Sequence, residues 1–253
     1  MKSAAIITGA TGGIGGEFVK HLAARDIDEL WAIGRSSEKL AELAEKYGEK
    51  LVPIQADLSS PDGIERVREL LVQREPDVRY LINCAGIGKM GAYKDFSPDE
   101  ITRTIDINCK VPVLLAEMCI PYMREGGRIL NISSASAFQP VPYINLYASS
   151  KAFLRSWSRA LKVELKGTGI TATAVCPGWV DTEMLSKEAN GKKVRFPGLV
   201  KPEKVVRKAL RDADRGRDMS VCSLYVKWQH VYVKLMPQKD VMKMWTSAVR
   251  KYL

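Results

Sequence analysis

The chain has 253 residues, 46% hydrophobic and 27% charged, enough for one large α/β domain or two small ones; disorder, collagen-like repeats and disulfide-dense scaffolds are excluded. No stretch supplies the ~18 uncharged apolar residues of a bilayer span, and the opening MKSAAIITGA is too short and glycine-interrupted for a signal peptide. The net charge is +10, and five scattered cysteines (Cys84, Cys109, Cys119, Cys176 and Cys222) with no close pair read as reduced thiols of a cytoplasmic protein, with no metal site.

Six short runs rich in Ile, Val or Leu and bounded by Gly, Pro, Asp or Ser predict strands over 4–8, 29–33, 51–55, 80–84, 128–133 and 171–176. Helix-length amphipathic segments lie between them, at 13–25, 36–47 and 61–73 among others, with Ser36 or Ser37 capping the second. Alternation of this kind predicts an α/β fold, a doubly wound parallel sheet with helices on both faces.

The first strand runs into Thr8-Gly9-Ala10-Thr11-Gly12-Gly13-Ile14-Gly15 and then a helix. Bare backbone N–H groups at a helix N-terminus, unobstructed by Cβ atoms, suit a dinucleotide pyrophosphate. Gly9, Gly13 and Gly15 supply that opening, with Thr11 and Ile14 beside them. At the end of the second strand, where an NAD site places a carboxylate for the ribose hydroxyl, this chain has Gly34, then Arg35 and Ser36. A guanidinium beside a hydroxyl suits a 2′-phosphate, so the expected cofactor is NADP(H), with NAD(H) the alternative.

Asn131-Ile132-Ser133-Ser134-Ala135-Ser136 is followed by Tyr147-Ala148-Ser149-Ser150-Lys151. Together with the glycine turn this resembles the short-chain dehydrogenase/reductase family, marked by Tyr-x-x-x-Lys and a serine thirteen residues before the tyrosine, here Ser134. Further matches are Asp57-Leu58, Asn83-Cys84-Ala85-Gly86, Asn108 and Pro177-Gly178-Trp179-Val180-Asp181-Thr182, so the resemblance spans Thr8 to Thr182. It implies hydride transfer between a nicotinamide and a ketone/secondary-alcohol pair, the alternative being a non-catalytic dinucleotide-binding sensor or scaffold, although such relatives commonly lose the serine, tyrosine or lysine that this chain keeps. Tyr147 would be the acid, Ser134 would hold the carbonyl oxygen, Lys151 would bind the nicotinamide ribose, and Asn108 would hold a water in a proton relay. Asp57 and Leu58 would meet the adenine, Asn83, Ala85 and Gly86 the adenosine ribose, and Pro177, Gly178, Val180 and Thr182 the nicotinamide. Lys151 lies one helical turn beyond Tyr147, and its ammonium is expected to lower the phenol pKa. Tyr143 could wall the substrate pocket or simply pack. Cys84 departs from the family's Asn-Asn-Ala-Gly and removes a side-chain hydrogen bond that braces the sheet. Gly12 adds a spacing typical of longer, extended relatives, although the chain length and the segment 83–86 favour the shorter class.

Residues 183–200 lack periodicity and read as a mobile substrate loop ending in Pro197-Gly198. A helix from 202 to about 214 and a strand near 219–222 close the catalytic region, 1–223. The remainder, 224–253, forms a basic extension of two apolar-faced segments split by Pro237, the second placing Val241, Met244, Trp245, Ala248 and Tyr252 on one face. Residues 1–182 hold 22 basic and 22 acidic groups, and 183–253 hold 17 and 7, so the whole excess lies late in the chain. The extension is expected to pack on the body or a neighbouring subunit, to line an apolar pocket for a hydrophobic carbonyl substrate, or to contact a membrane peripherally. Nucleic-acid binding is not expected, because no recognition motif accompanies the charge. The resemblance further implies a homo-oligomer, a dimer or tetramer, through helices covering 108–125 and 147–166.

Overall fold

The computed structural model describes residues 1–185, 188–189 and 192–250. The strands β1 (Ser3–Thr8), β2 (Glu29–Gly34), β3 (Leu51–Gln55), β4 (Asp77–Asn83), β5 (Arg128–Ile132) and β6 (Thr171–Val175) are those expected, with ends shifted by up to three residues. The short β7 (Glu188–Ala189) and β8 (Lys192–Lys193) pair antiparallel inside the segment expected to be a structureless loop. The predicted strand near 219–222 shrinks to β9 (Met219–Ser220). The large sheet is parallel throughout, in the order β3-β2-β1-β4-β5-β6-β9. Winding reverses between β1 and β4, and the crevice beyond their carboxyl ends is where such sheets bind ligands.

Local chemistry sets the helix starts. The Ser36 hydroxyl accepts from the Lys39 amide at 3.2 Å and opens α2 (Ser37–Tyr47), which follows α1 (Gly13–Ala23). Ser60 does the same for the Gly63 amide at α3 (Pro61–Arg74). Ser97 and Glu100 cap α4 (Pro98–Ile105) reciprocally. Between α4 and α5 (Val111–Cys119) the helix widens into a π turn at Asp106–Lys110. Pro112 has no N–H for the Asn108 carbonyl four residues back, which explains the break in the α ladder. The long α6 (Asn145–Glu164) crosses behind β5 and β6.

Apolar side chains fill both faces of the sheet. Ile6, Trp31, Leu71, Leu81 and Leu115 belong to one buried layer, and Ile7, Phe18, Leu22, Leu130 and Leu210 to the other, the latter closed by α1 and α7 (Pro202–Asp214). Two further helices, α8 (Leu224–Leu235) and α9 (Gln238–Val249), complete the single domain. On α9 the buried residues are Val241 and Val249, and Met244 is 57% exposed, contrary to its expected place on the apolar face. Helix α9 turns the single row Val241, Trp245 and Val249 inward, and Met244 and Ala248 lie exposed along its flank. Tyr252 lies outside the described residues.

Candidate active site

The glycine turn is built by close backbone approach. A Cβ on Gly15 would stand 2.0 Å from the Gly9 carbonyl oxygen, and one on Gly9 would stand 3.0 Å from the Ala85 backbone. Gly9 also has φ +63°, a left-handed conformation natural to glycine. The Thr8 hydroxyl ties the same corner together, accepting from the Cys84 and Ala85 amides at 3.0 Å each. The N-cap of α1 is Gly12, which has no side chain to cap it, and the helix's first turn holds no acid, so its amides and dipole face the crevice. These features fit the pyrophosphate of a dinucleotide. Thr182 covers the turn, since a Cβ on Gly13 would lie 2.7 Å from its methyl group. Ile14 is half-buried and packs into the core.

Arg35 is exposed at the end of β2, beyond Gly34, whose missing Cβ leaves room for Thr11. Ser36 spends its hydroxyl on capping α2. The Asp57 carboxylate takes hydrogen bonds from the Ser59 hydroxyl at 2.7 Å and amide at 3.0 Å, and pairs with Arg103 at 2.8 Å. Those bonds, led by the Ser59 hydroxyl, hold its pKa below the ordinary value. Leu58 is buried in the core, so only its backbone faces outward. Asn83 turns its side chain into the sheet, donating to the Asn131 side-chain Oδ1 at 2.8 Å and to the Pro112 main-chain carbonyl at 3.3 Å. Asn131 in turn donates to Ser158 at 2.9 Å. The sheet therefore has its polar brace without a second asparagine at 84, and burial pushes the Cys84 thiol up to about 12.

The catalytic candidates converge at the C-terminal end of β5. Ser134 leaves that strand in extended backbone and its Oγ accepts from the Ser136 amide at 3.1 Å. Tyr147 and Lys151 project from the first turns of α6. Lys151 is 3% exposed, donates to the Ile132 carbonyl at 2.8 Å, and lies over the Tyr147 ring at 5.6 Å from its centroid. Gly86 leaves space beside this ammonium: a Cβ there would lie 3.1 Å from Lys151 Nζ and 3.4 Å from Asn108 Oδ1. Asn108 itself is buried, exchanges two hydrogen bonds with the Ile87 backbone, and donates to the Ser150 hydroxyl at 2.9 Å.

One electrostatic expectation fails. Burial pushes the Tyr147 phenol above its ordinary value, and the hydrogen bond from Ser134 only partly opposes this. Lys151 does not reverse the sign because its ammonium sits over the ring face, bound to a carbonyl, and is itself destabilised by burial, which brings its pKa down to about 8.

Three positions that sequence reasoning missed hold this geometry. Ser133 donates to the Lys151 carbonyl at 2.7 Å, and Ser150 donates to the Tyr147 carbonyl at 2.7 Å, linking α6 to β5 and to Asn108. Gly88 backs the Tyr147 ring, where a Cβ would lie 3.0 Å from Cδ2. Their common signal is proximity to the motif residues, too weak to separate them from neighbouring serines and glycines. Tyr143 adopts φ +65°, and its carbonyl accepts from the Gly91 amide at 2.8 Å.

The loop after β6 and the chain's last helices enclose the other side. The Pro177 carbonyl accepts from the Ala135 amide at 2.7 Å, and Val180 bridges to Val200. A Cβ on Gly178 would meet Val226 of α8 at 2.6 Å. Trp179 lies 5.1 Å from Phe196 and stacks 6.5 Å from Trp245, whose indole N–H donates to the Pro142 carbonyl at 2.8 Å. The extension thus packs on its own body, around the cleft.

Residues 3–193 match the family model described as short chain dehydrogenase. The chain belongs to the short-chain dehydrogenase family. Among relatives of this family, the very-long-chain 3-oxoacyl-CoA reductase of Anas platyrhynchos is 37% identical over 221 residues, covering 81% of this chain and 67% of that one. Reductase-A of the same name from Danio rerio is 36% identical, covering 78% and 62%. Among solved structures, a short-chain dehydrogenase from Sphingobium yanoikuyae in complex with NADPH has 26% identity and a TM-score of 0.78, covering 94% of this chain and 97% of that one. The bulky-bulky ketone specific alcohol dehydrogenase from Comamonas testosteroni has 26% identity and a TM-score of 0.76, covering 94% and 96%. This short-chain dehydrogenase is therefore an oxidoreductase of the hydride-transferring kind. Its five cysteines are free, and among the described residues no helix is long and apolar enough to cross a membrane.

Proposed function

We propose that the protein is an NADP(H)-dependent carbonyl reductase for an apolar ketone, with 3-oxoacyl and steroid-like compounds the favoured substrate class. This rests on the meeting of Ser134, Tyr147 and Lys151 at the end of the β1–β4 crevice: Lys151 lies beside Gly86 and over the Tyr147 ring, Tyr147 lies beside Gly88, and Ser134 hydrogen-bonds to Tyr147. Bound NADP(H) supplies the hydride. Ser134 donates a hydrogen bond to the substrate carbonyl oxygen. Tyr147, which burial keeps protonated at neutral pH, gives its proton to that oxygen as negative charge develops there. The Lys151 ammonium then stabilises the phenolate and binds the nicotinamide ribose, with Asn108 on the route by which the proton returns.

Arg35, exposed beyond a β2 end that has glycine in place of a carboxylate, supports a 2′-phosphate and hence NADP(H) over NAD(H). The Thr11, Gly13, Ile14 and Gly15 turn would take the pyrophosphate. Ser36, Asp57, Leu58, Asn83 and Ala85 would flank the adenosine, Asn83 and Leu58 through their backbones. Pro177, Gly178, Val180 and Thr182 would flank the nicotinamide. The ring wall of Trp179, Phe196 and Trp245 supports an apolar substrate, as do the names of the avian and fish relatives. The exposed Phe153 and Val163 on α6 support pairing of that helix with another copy. NADPH oxidation measured over a panel of 3-oxoacyl thioesters, steroid ketones and small aldehydes tests the reading. The expected result is turnover of the first two groups, and turnover of small aldehydes alone would overturn the substrate class.

A further inference from the structure

The inward side of α8 buries Val226 and Val233. Its outward side is just as apolar: Leu224, Trp228, Val231 and Leu235 follow at spacings of four, three and four, and they are 82%, 61%, 55% and 78% exposed. A helix on a soluble surface normally turns polar groups outward, and a contiguous exposed apolar stripe marks a contact site. Tyr225, whose ring lies against Gly198, extends the patch toward the exposed Leu199. On the other side Trp228 stacks on Tyr232, whose hydroxyl lies 3.1 Å from the sulfur of Met244 on α9.

Charge identifies the occupant. Lys227 and Lys234 lie about 80° around the helix from the middle of the stripe, along one flank. From 224 to 250 the chain carries Lys227, Lys234, Lys239, Lys243 and Arg250 against Asp240 alone, and α8 has no acidic residue. The first 182 residues are neutral, so this positive field is local. An apolar stripe flanked by lysines, with acids nearly absent, complements a surface that is apolar within and anionic at its rim.

We infer that α8 docks the protein on an anionic lipid bilayer, with Leu224, Trp228, Val231 and Leu235 entering the headgroup–acyl boundary and Lys227 and Lys234 meeting lipid phosphates. The docked helix stands directly behind the substrate side of the cleft, since Val226 fills the space over Gly178 and His230 packs 4.0 Å from Phe138, four residues beyond Ser134. Docking needs no turnover, so it stands or falls separately from the proposed reaction.

Flotation of the full chain with phosphatidylserine–phosphatidylcholine vesicles, and with phosphatidylcholine vesicles alone, tests this. The protein should float with the anionic vesicles at low salt. Flotation should fall by about tenfold or more on neutral vesicles, at high salt, and in both the Trp228→Ser/Leu235→Gln and Lys227→Glu/Lys234→Glu variants. All substituted residues are exposed, and unchanged thermal melting verifies that the variants fold. Absence of flotation on anionic vesicles overturns the inference, as does equal flotation of the stripe variant. So does a self-associated form, without flotation, that the stripe variant disperses, because it assigns the stripe to a second copy of the chain.

Discussion

The Lys151 ammonium lies over the face of the Tyr147 ring, 5.6 Å from its centroid, with one hydrogen already committed to the Ile132 carbonyl. The buried ammonium and the half-buried phenol in this arrangement are each pushed toward neutrality. The phenol holds its proton more tightly than in water, and the amine loses its own near pH 8.

The pH dependence of reduction follows. Below about pH 8 Lys151 is the cation that supports a phenolate, and above it the amine prevails. In NADPH-dependent reduction, kcat/KM should be level at neutral pH and fall above a midpoint near 8, since this quantity reports the free enzyme. A profile flat to pH 9.5 would show that Lys151 is not the titrating group.

Among the described residues, the Ser134 hydrogen bond is what lowers the Tyr147 pKa against burial. Ser134→Ala should therefore reduce turnover by about 10²-fold or more and move the phenol titration further upward. Ultraviolet difference titration against a Tyr147→Phe background reads the second effect. Loss of turnover with an unmoved phenol would mean that the two hydroxyls do not interact.

Arg35 should set the choice of dinucleotide. Arg35→Ala should raise KM for NADPH by about ten- to a hundredfold, the scale of a charge-assisted contact of ~1.5–3 kcal/mol, and leave KM for NADH unchanged. Equal effects on both cofactors would remove the 2′-phosphate assignment.

Gly15→Ala places a methyl group 2.0 Å from the Gly9 carbonyl oxygen, where only movement of the turn can relieve it. Thermal unfolding should show a loss of about 1–3 kcal/mol. Protection by NADPH should disappear as well, because the amides of α1 are displaced from the pyrophosphate position. A variant that melts and is protected like the parent would place the dinucleotide elsewhere.

Much of this arrangement is legible in the sequence. The buried parallel strands announce themselves as apolar runs, and α7 begins at Pro202 and ends at Asp214 as its pattern predicts. Ser134, Tyr147 and Lys151 are picked out by the resemblance of their spacing to the family motif. What spacing does not carry is direction in three dimensions. The sign of the Tyr147 shift depends on where the Lys151 ammonium points and on how much water both have lost, neither a property of four intervening residues. Asn83, Asn131 and Ser158 meet across strands far apart in the chain. The outward face of α8 is as apolar as its inward face, so periodicity does not say which side meets the core. Met244 is misplaced for a related reason, since α9 is anchored by Trp245 against Trp179 and Pro142.

The central claim is that the Tyr147 phenol delivers the proton beside a bound reduced dinucleotide. Turnover of the Tyr147→Phe variant on a ketone reduced by the parent protein, measured together with NADPH affinity by fluorescence, tests it most directly. Turnover should fall by about 10³-fold or more, with NADPH affinity within a few-fold of the parent. Turnover within tenfold of the parent would contradict it.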